Sequence, residues 1–160
     1  MVHGRSVTDK GKEARKSVTA RALWLAAGLM LAACSNDDRA ARRAAAGPSP
    51  DLAALLRVAS VAAGERQFAR CAACHASRRG APDRNGPTLA GVIGAPVAGV
   101  SQRFGYTAAL QRVGGRWTPE RLDAWLADPR AFAPGTSMGF PGLPDPLDRA
   151  DVLAYLQAQR

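Results

Sequence analysis

Apolar residues are arranged in two ways along this chain. Residues 22–33 form one unbroken uncharged run, ALWLAAGLMLAA. From about residue 60 onward the large apolar side chains return at intervals of three, four and seven. That spacing puts them on one face of a helix, and the strict alternation that marks a half-buried strand is almost absent. Val61, Phe68 and Ala72 are expected on one face of a helix running into the cysteines. Thr118 followed by Pro119 reads as an N-cap with proline at the first helical position. Leu122, Trp125 and Leu126 then make an i, i+3, i+4 stripe before Asp128-Pro129 stops the helix. Asp148 with Asp151 three residues on reads as a capping box with Asp in place of Glu. It would open a final helix that buries Val152, Tyr155 and Leu156. Between these signals lie Gly/Pro-rich stretches at 80–105 and 129–147, and loops of that length in a small domain need something to pack against.

The twelve-residue run is too short to cross a bilayer comfortably, since a spanning helix needs about 20 apolar residues. It follows a basic region and so reads as the hydrophobic part of an export signal. It ends in Leu31-Ala32-Ala33-Cys34, which resembles the lipobox of bacterial lipoproteins. The resemblance implies cleavage before Cys34, lipidation of that residue, and a durable anchor of two or three acyl chains. An ordinary secretory signal with an incidental cysteine is the alternative. Residues 35–50, SNDDRAARRAAAGPSP, are poor in large apolar side chains and read as a tether, with Leu52 to Val58 a short helical continuation. The expected organisation is therefore a signal peptide over 1–33, an anchored flexible tether over 34–59 and a folded domain over 60–160. The expected location is the bacterial cell envelope, facing the periplasm.

Composition sharpens this. The 160 residues are 47% hydrophobic and 22% charged, which fits one globular domain and argues against wholesale disorder or a polytopic membrane protein. The formal charge of +9 suggests nucleic acid at first sight. Yet all three lysines fall in the first sixteen residues, and residues 1–33 hold six basic and two acidic side chains. Nearly half the excess belongs to the export signal, so nucleic-acid binding loses its main support.

Chemistry enters at Cys71-Ala72-Ala73-Cys74-His75, the pattern of c-type haem attachment. Two thiols at this spacing can add across the two vinyl groups of one haem, and the adjacent imidazole can reach the iron. A redox dithiol and half of a zinc site are the competing readings. A thioredoxin-like dithiol expects a βαβ context that is missing here. A structural zinc site expects four N or S ligands, and no further Cys or His follows His75. One haem c, held covalently by Cys71 and Cys74 with His75 on the iron, is the expectation. Met138 is the candidate second ligand, because a thioether can stand opposite His in electron-transfer haems and no other Met follows Met30. It sits in the Pro-Gly loop Pro134-Gly135-Thr136-Ser137-Met138.

With these residues in view, the stretch from Gly64 to Leu156 resembles the class I cytochromes c. Gly64 and Phe68 match the glycine and aromatic of that family's first helix, and Tyr155 and Leu156 the aromatic and leucine of its last. Gly86-Pro87-Thr88-Leu89 with Gly91 matches the loop whose proline carbonyl accepts the Nδ1–H of the ligand histidine. Tyr106 and Trp117 match the pair that hydrogen-bonds a haem propionate, Thr136 the threonine near the other propionate, and Phe140 the aromatic after the methionine. Trp125 falls where the family usually has a tyrosine beside the sulfur, and Ala95 where it has an arginine near the propionates. The resemblance implies an all-α class I cytochrome c fold, with three main helices and long loops wrapped around one covalent haem. It also implies a cofactor site of Cys71, Cys74, His75, Pro87, Leu89, Tyr106, Trp117, Trp125, Thr136, Met138 and Phe140.

The expected function is a monomeric, membrane-anchored monohaem carrier of single electrons between redox proteins, with no bond-breaking catalysis. Arg70, Arg78, Arg79 and Arg84 flank the attachment motif and Arg130 precedes the methionine loop, so a positive docking ring is expected, against the plainer reading of a solvated surface. The rivals are an electron-entry subunit of a larger oxidoreductase and, should Met138 leave the iron open, a haem sensor or peroxidase-like enzyme.

Overall fold

The computed structural model describes residue 1 and residues 38–159. Apart from Met1, the segment expected to be an export signal lies outside the described residues, as does Cys34. The chain divides into two units, Met1–Ala41 and Arg42–Arg160. In the first, residues 38–41 are helical.

Residues 42–46 of the second unit are also helical; after them, six helices follow among the described residues, and each begins where the sequence offers a cap. They are α1 (Leu52–Val58), α2 (Val61–Phe68), α3 (Ala108–Val113), α4 (Pro119–Ala127), α5 (Pro129–Phe132) and α6 (Pro146–Ala158). The side chains of Asp51, Ser60, Thr107, Thr118, Asp128 and Asp145 each accept a backbone N–H of the following first turn. Proline opens α4, α5 and α6, where its missing N–H costs nothing. Among the described residues there is no strand, only one isolated bridge between Pro96 and Arg116, in keeping with the all-α class I fold. No described helix is long and apolar enough to cross a membrane.

The tightest packing is the crossing of α2 on α6. Gly64 sits where a Cβ would collide with the backbone of Asp151 and with the Tyr155 Cβ, and the Phe68 and Tyr155 rings lie 5.1 Å apart beside it. Below the crossing, the buried face of α4, with Leu122, Trp125 and Leu126, joins Val152, Leu153 and Leu156 of α6 in the main core. Arg149 of α6 holds α4 from the outside, its Nε 2.7 Å from Asp123 Oδ1.

Three expectations change. Residues 34–59 do not all belong to a tether. Leu55 is buried against Leu147 and Ala150 of α6, with Ala46, Leu56 and Val58 packed around them. Arg42 reaches the buried Asp151 at 2.6 Å, and Arg43 pairs with Asp145. The folded unit therefore begins near Arg42 rather than residue 60, because the back of α6 is apolar enough to hold a helix that the sequence alone left without a partner. The final helix also starts a turn earlier than the Asp148/Asp151 pattern suggests. Asp145 is the cap, accepting from Leu147 N at 2.9 Å, and Asp148 lies in the first turn, where its charge suits the helix dipole. Asp151 is buried and faces Arg42. Val61, finally, is 47% exposed. As the first residue of α2 its side chain leans back past the crossing, and Gly64 with Phe68 supplies the buried face instead.

Candidate functional site

The chain leaves α2 at Phe68 and makes one more helical turn through the cysteine motif. Cys71 N and Ala72 N donate to Phe68 O, and Cys74 N and His75 N donate to Cys71 O at 3.0 and 2.9 Å. This turn brings two thiols and an imidazole to one wall of a cavity of about 510 Å³. Cys74 is exposed and Cys71 half-buried. Burial pushes the Cys71 thiol up, partly offset by the neighbouring Arg70.

The loop at 84–89 is pinned onto that turn. Gly86 N donates to Cys74 O (2.9 Å), Leu89 N to Ala76 O (2.7 Å) and Arg84 Nη1 to Ala72 O (2.7 Å). The result is a hydrogen bond of 2.7 Å between His75 Nδ1 and Pro87 O. A carbonyl can only accept, so Nδ1 carries the proton and the Nε2 lone pair is left for another partner. Gly86 lies against the imidazole so closely that a Cβ there would strike the ring. The glycine is required by close approach, and it fixes the ring plane.

The other lining comes from the segments 100–117 and 136–141 and from α4 and α6. Met138 is half-buried in the cavity, and its N–H donates to Thr136 Oγ1 at 3.2 Å. Thr136 N in turn donates to Ala133 O at 3.0 Å, at the end of α5. Trp117, Trp125 and Phe132 form a closed aromatic triangle with every pair of centroids 5.7 Å apart. Trp117 is tied in by a pair of backbone bonds, Gly94 N to Trp117 O and Trp117 N to Ala95 O. The Tyr106 hydroxyl accepts from Ser101 N at 3.1 Å. Burial pushes its phenol up, so it keeps its proton at neutral pH.

All eleven residues expected to hold the cofactor line this one cavity: Cys71, Cys74, His75, Pro87, Leu89, Tyr106, Trp117, Trp125, Thr136, Met138 and Phe140. Val92, Val100, Phe104, Leu110 and Val152 join them. Val152 was expected on the buried face of the final helix, whereas Val92, Val100, Phe104 and Leu110 carried no signal, since short or irregular segments have no periodicity to read.

The arrangement suits haem. Two thiols, an imidazole whose Nε2 is left for another partner and a thioether meet in a space whose walls are otherwise mostly apolar and aromatic, with Arg70 the one charged side chain among the described residues that line it. Among the described residues no group of three or more His, Cys, Asp or Glu side chains has an arrangement that could hold a metal ion by itself.

Comparison with known proteins agrees. No family model matches the chain. It is 43% identical over 115 residues to a cytochrome c homolog of Bradyrhizobium diazoefficiens, covering 72% of this chain and 62% of that one. It is 48% identical over 95 residues to the cytochrome c-type cyt cy of Rhodobacter capsulatus, covering 59% of this chain and 46% of the other. The chain thus spans less than two thirds of these bacterial relatives. Cytochrome c of Cannabis sativa is 41% identical over 96 residues, 59% of this chain and 86% of its own length. Among solved structures, cytochrome cH from Methylobacterium extorquens is matched over 62% of this chain and 98% of its own, with 41% identity and a TM-score of 0.59. The cofactor is haem c, held covalently by Cys71 and Cys74. The fold, the attachment motif and these relatives together place the chain in the cytochrome c family.

Proposed function

We propose that this protein carries single electrons between redox proteins of the bacterial cell envelope, with His75 and Met138 as the side chains that would hold the iron of its haem and Cys34 as its lipid anchor. Haem bound here supplies a reversible one-electron couple. The observation that carries the ligand assignment is the His75 Nδ1 to Pro87 O bond of 2.7 Å, which frees Nε2 in the same cavity that Met138 lines.

Each residue then has a physical task. Pro87 holds the imidazole in one tautomer and makes it a better donor. Thr136 fixes the start of the Met138 turn, so the thioether needs little rearrangement when the charge changes. The apolar and aromatic lining excludes water and disfavours the extra charge of the oxidised state, and a neutral sulfur ligand acts in the same direction, so a positive potential is expected. Tyr106, Trp117 and Thr136 offer neutral donors to the carboxylates of the cofactor. Arg70, Arg78, Arg79, Arg84 and Arg130 are all exposed. They offer a positive face to an acidic partner, which speeds encounter without long residence. The anchor rests on Leu31-Ala32-Ala33-Cys34.

The test is a spectrum with redox titration of the haem-loaded protein, followed by carbon monoxide. The expected result is a low-spin ferric form with a thioether charge-transfer band and slow carbon monoxide binding by the reduced form. Met138→Ala should remove the band and admit carbon monoxide rapidly. Rapid binding by the unaltered protein would instead mark a sensor or peroxidase-like enzyme. Cys34→Ser followed by membrane fractionation tests the anchor, which falls if the unaltered chain is itself soluble and unlipidated.

A further inference from the structure

We propose that Asp83 and Ser101 are positioning residues that aim the Tyr106 hydroxyl into the cavity, through a carboxylate to hydroxyl to amide relay linking the loop that holds His75 to the loop that carries Tyr106. The proposal rests on the reading of Tyr106 as a donor to the bound cofactor.

The relay consists of three contacts. One Asp83 oxygen accepts Thr88 N–H at 2.8 Å, and the other accepts the Ser101 hydroxyl at 2.5 Å. Ser101 N–H then donates to the Tyr106 oxygen at 3.1 Å. Thr88 directly follows Pro87, the acceptor of His75. One carboxylate therefore spans the segments that set the imidazole and the phenol.

The consequence lies in the phenol's hydrogen-bond inventory. A tyrosine oxygen can accept and donate. Here it accepts from Ser101 N, so its own proton remains to be donated, and the side chain lines the cavity. Phe104 stands edge-on to the Tyr106 ring, at 5.0 Å and 70°, and restricts its rotation. Among the described residues only one charged side chain, Arg70, lines the cavity. Polar contact to a bound group therefore falls on neutral donors, which work only when aimed correctly. Asp83 itself stays ionised because the Ser101 hydroxyl and the Thr88 amide both favour the charged form, with Arg103 adding a smaller pull.

The experiment uses the haem-loaded full chain and two readouts: the midpoint potential, and amide hydrogen exchange at residue 101. The variants are Ser101→Ala, Ser101→Thr, Asp83→Asn, Tyr106→Phe and the Ser101→Ala/Tyr106→Phe double. Ser101→Ala keeps every charge, so it separates aiming from a Coulomb effect. It should shift the potential in the same direction as Tyr106→Phe, and Ser101→Thr should restore the unaltered value. The double variant should shift it no further than Tyr106→Phe alone. Exchange at residue 101 should rise about tenfold or more in Ser101→Ala and Asp83→Asn. An unaltered potential in Ser101→Ala while Tyr106→Phe shifts, or additive shifts in the double variant, overturns the proposal. Should Tyr106→Phe itself leave the potential unchanged, the donor role of Tyr106 falls. Exchange then decides the relay alone, a rise upholding it and an unchanged rate removing it.

Discussion

Gly64 presents a bare Cα to the backbone carbonyl of Asp151, and the two helices meet with no room for a methyl group between them. This contact sets how closely α2, which delivers the cysteine turn, approaches α6, which supplies Val152 and Leu156 to the cavity. Gly to Ala inside a helix ordinarily stabilises by up to about 1 kcal/mol. Overpacking against backbone costs about 1–3 kcal/mol. Gly64→Ala should therefore lower stability despite the better helix former, as read from the midpoint of denaturant unfolding. A raised midpoint would show that the crossing can open without loss.

Asp151 has a second relationship, with Arg42. The carboxylate is fully buried and holds the guanidinium at 2.6 Å and Ser60 N–H at 2.7 Å, while its other oxygen has no hydrogen-bond partner. Removing one member of such a pair leaves a buried charge uncompensated, at a cost of about 3–5 kcal/mol, whereas replacing both with apolar residues can be near neutral. Arg42→Met should thus be strongly destabilising, and Arg42→Met/Asp151→Leu should recover much of the loss in urea unfolding. Equal losses in the two would deny the pairing its role.

Gly86 and His75 give a prediction at the site. A methyl group at position 86 would push the imidazole off its plane and away from Pro87 O. Gly86→Ala should reduce the yield of low-spin, haem-loaded protein about tenfold, on the scale of effects seen when a ligand's supporting contact is lost. A full yield with an unchanged spectrum would show that the ring has freedom the packing denies it.

Acid stability should report on Asp83. Its carboxyl is held below the ordinary value by the Ser101 hydroxyl first and the Thr88 amide second. A depressed folded-state value means that the ionised form is favoured in the fold. The stabilisation is therefore present above the unfolded value of about 3.9 and is lost as pH falls through the lower folded value. Glu120, lowered mainly by the Thr118 hydroxyl, adds in the same direction. The stability gap between the unaltered protein and Asp83→Asn should shrink as pH falls from about 4 through the lower folded value. A gap that widens on acidification would reverse the sign.

Docking through the exposed arginines should weaken with salt. The Debye length falls from about 30 Å at 0.01 M to about 10 Å at 0.1 M. Electron transfer to an acidic acceptor protein should slow steeply over that range in stopped-flow measurements. A flat dependence removes the arginine face from the account.

Much of the site was legible in the sequence because its chemistry is local. Cys71, Cys74 and His75 lie within one turn of chain, and Gly86-Pro87 with Met138 sits in short segments whose residue types are restricted. Thr118-Pro119 with the Leu122, Trp125, Leu126 stripe likewise defined α4 with its cap and its buried face. The short helices α3 and α5 were not legible, since four to six residues cannot establish a period. Val61 was misplaced because a spacing of seven says nothing about where a helix crossing ends. Residues 42–59 were read as tether because their partner, the back of α6, lies about a hundred residues away.

The sequence by itself determined that this chain is helical, that two thiols hold one haem, and which histidine and methionine are available to it. Those features follow from spacing and residue chemistry within a few turns. Tertiary structure alone decided that Gly64 must be bare, that Asp151 is buried for Arg42, and that Asp83, Ser101 and Tyr106 form one relay. Each of these depends on segments distant along the chain being brought within a few ångströms, and burial then makes a contact either required or forbidden.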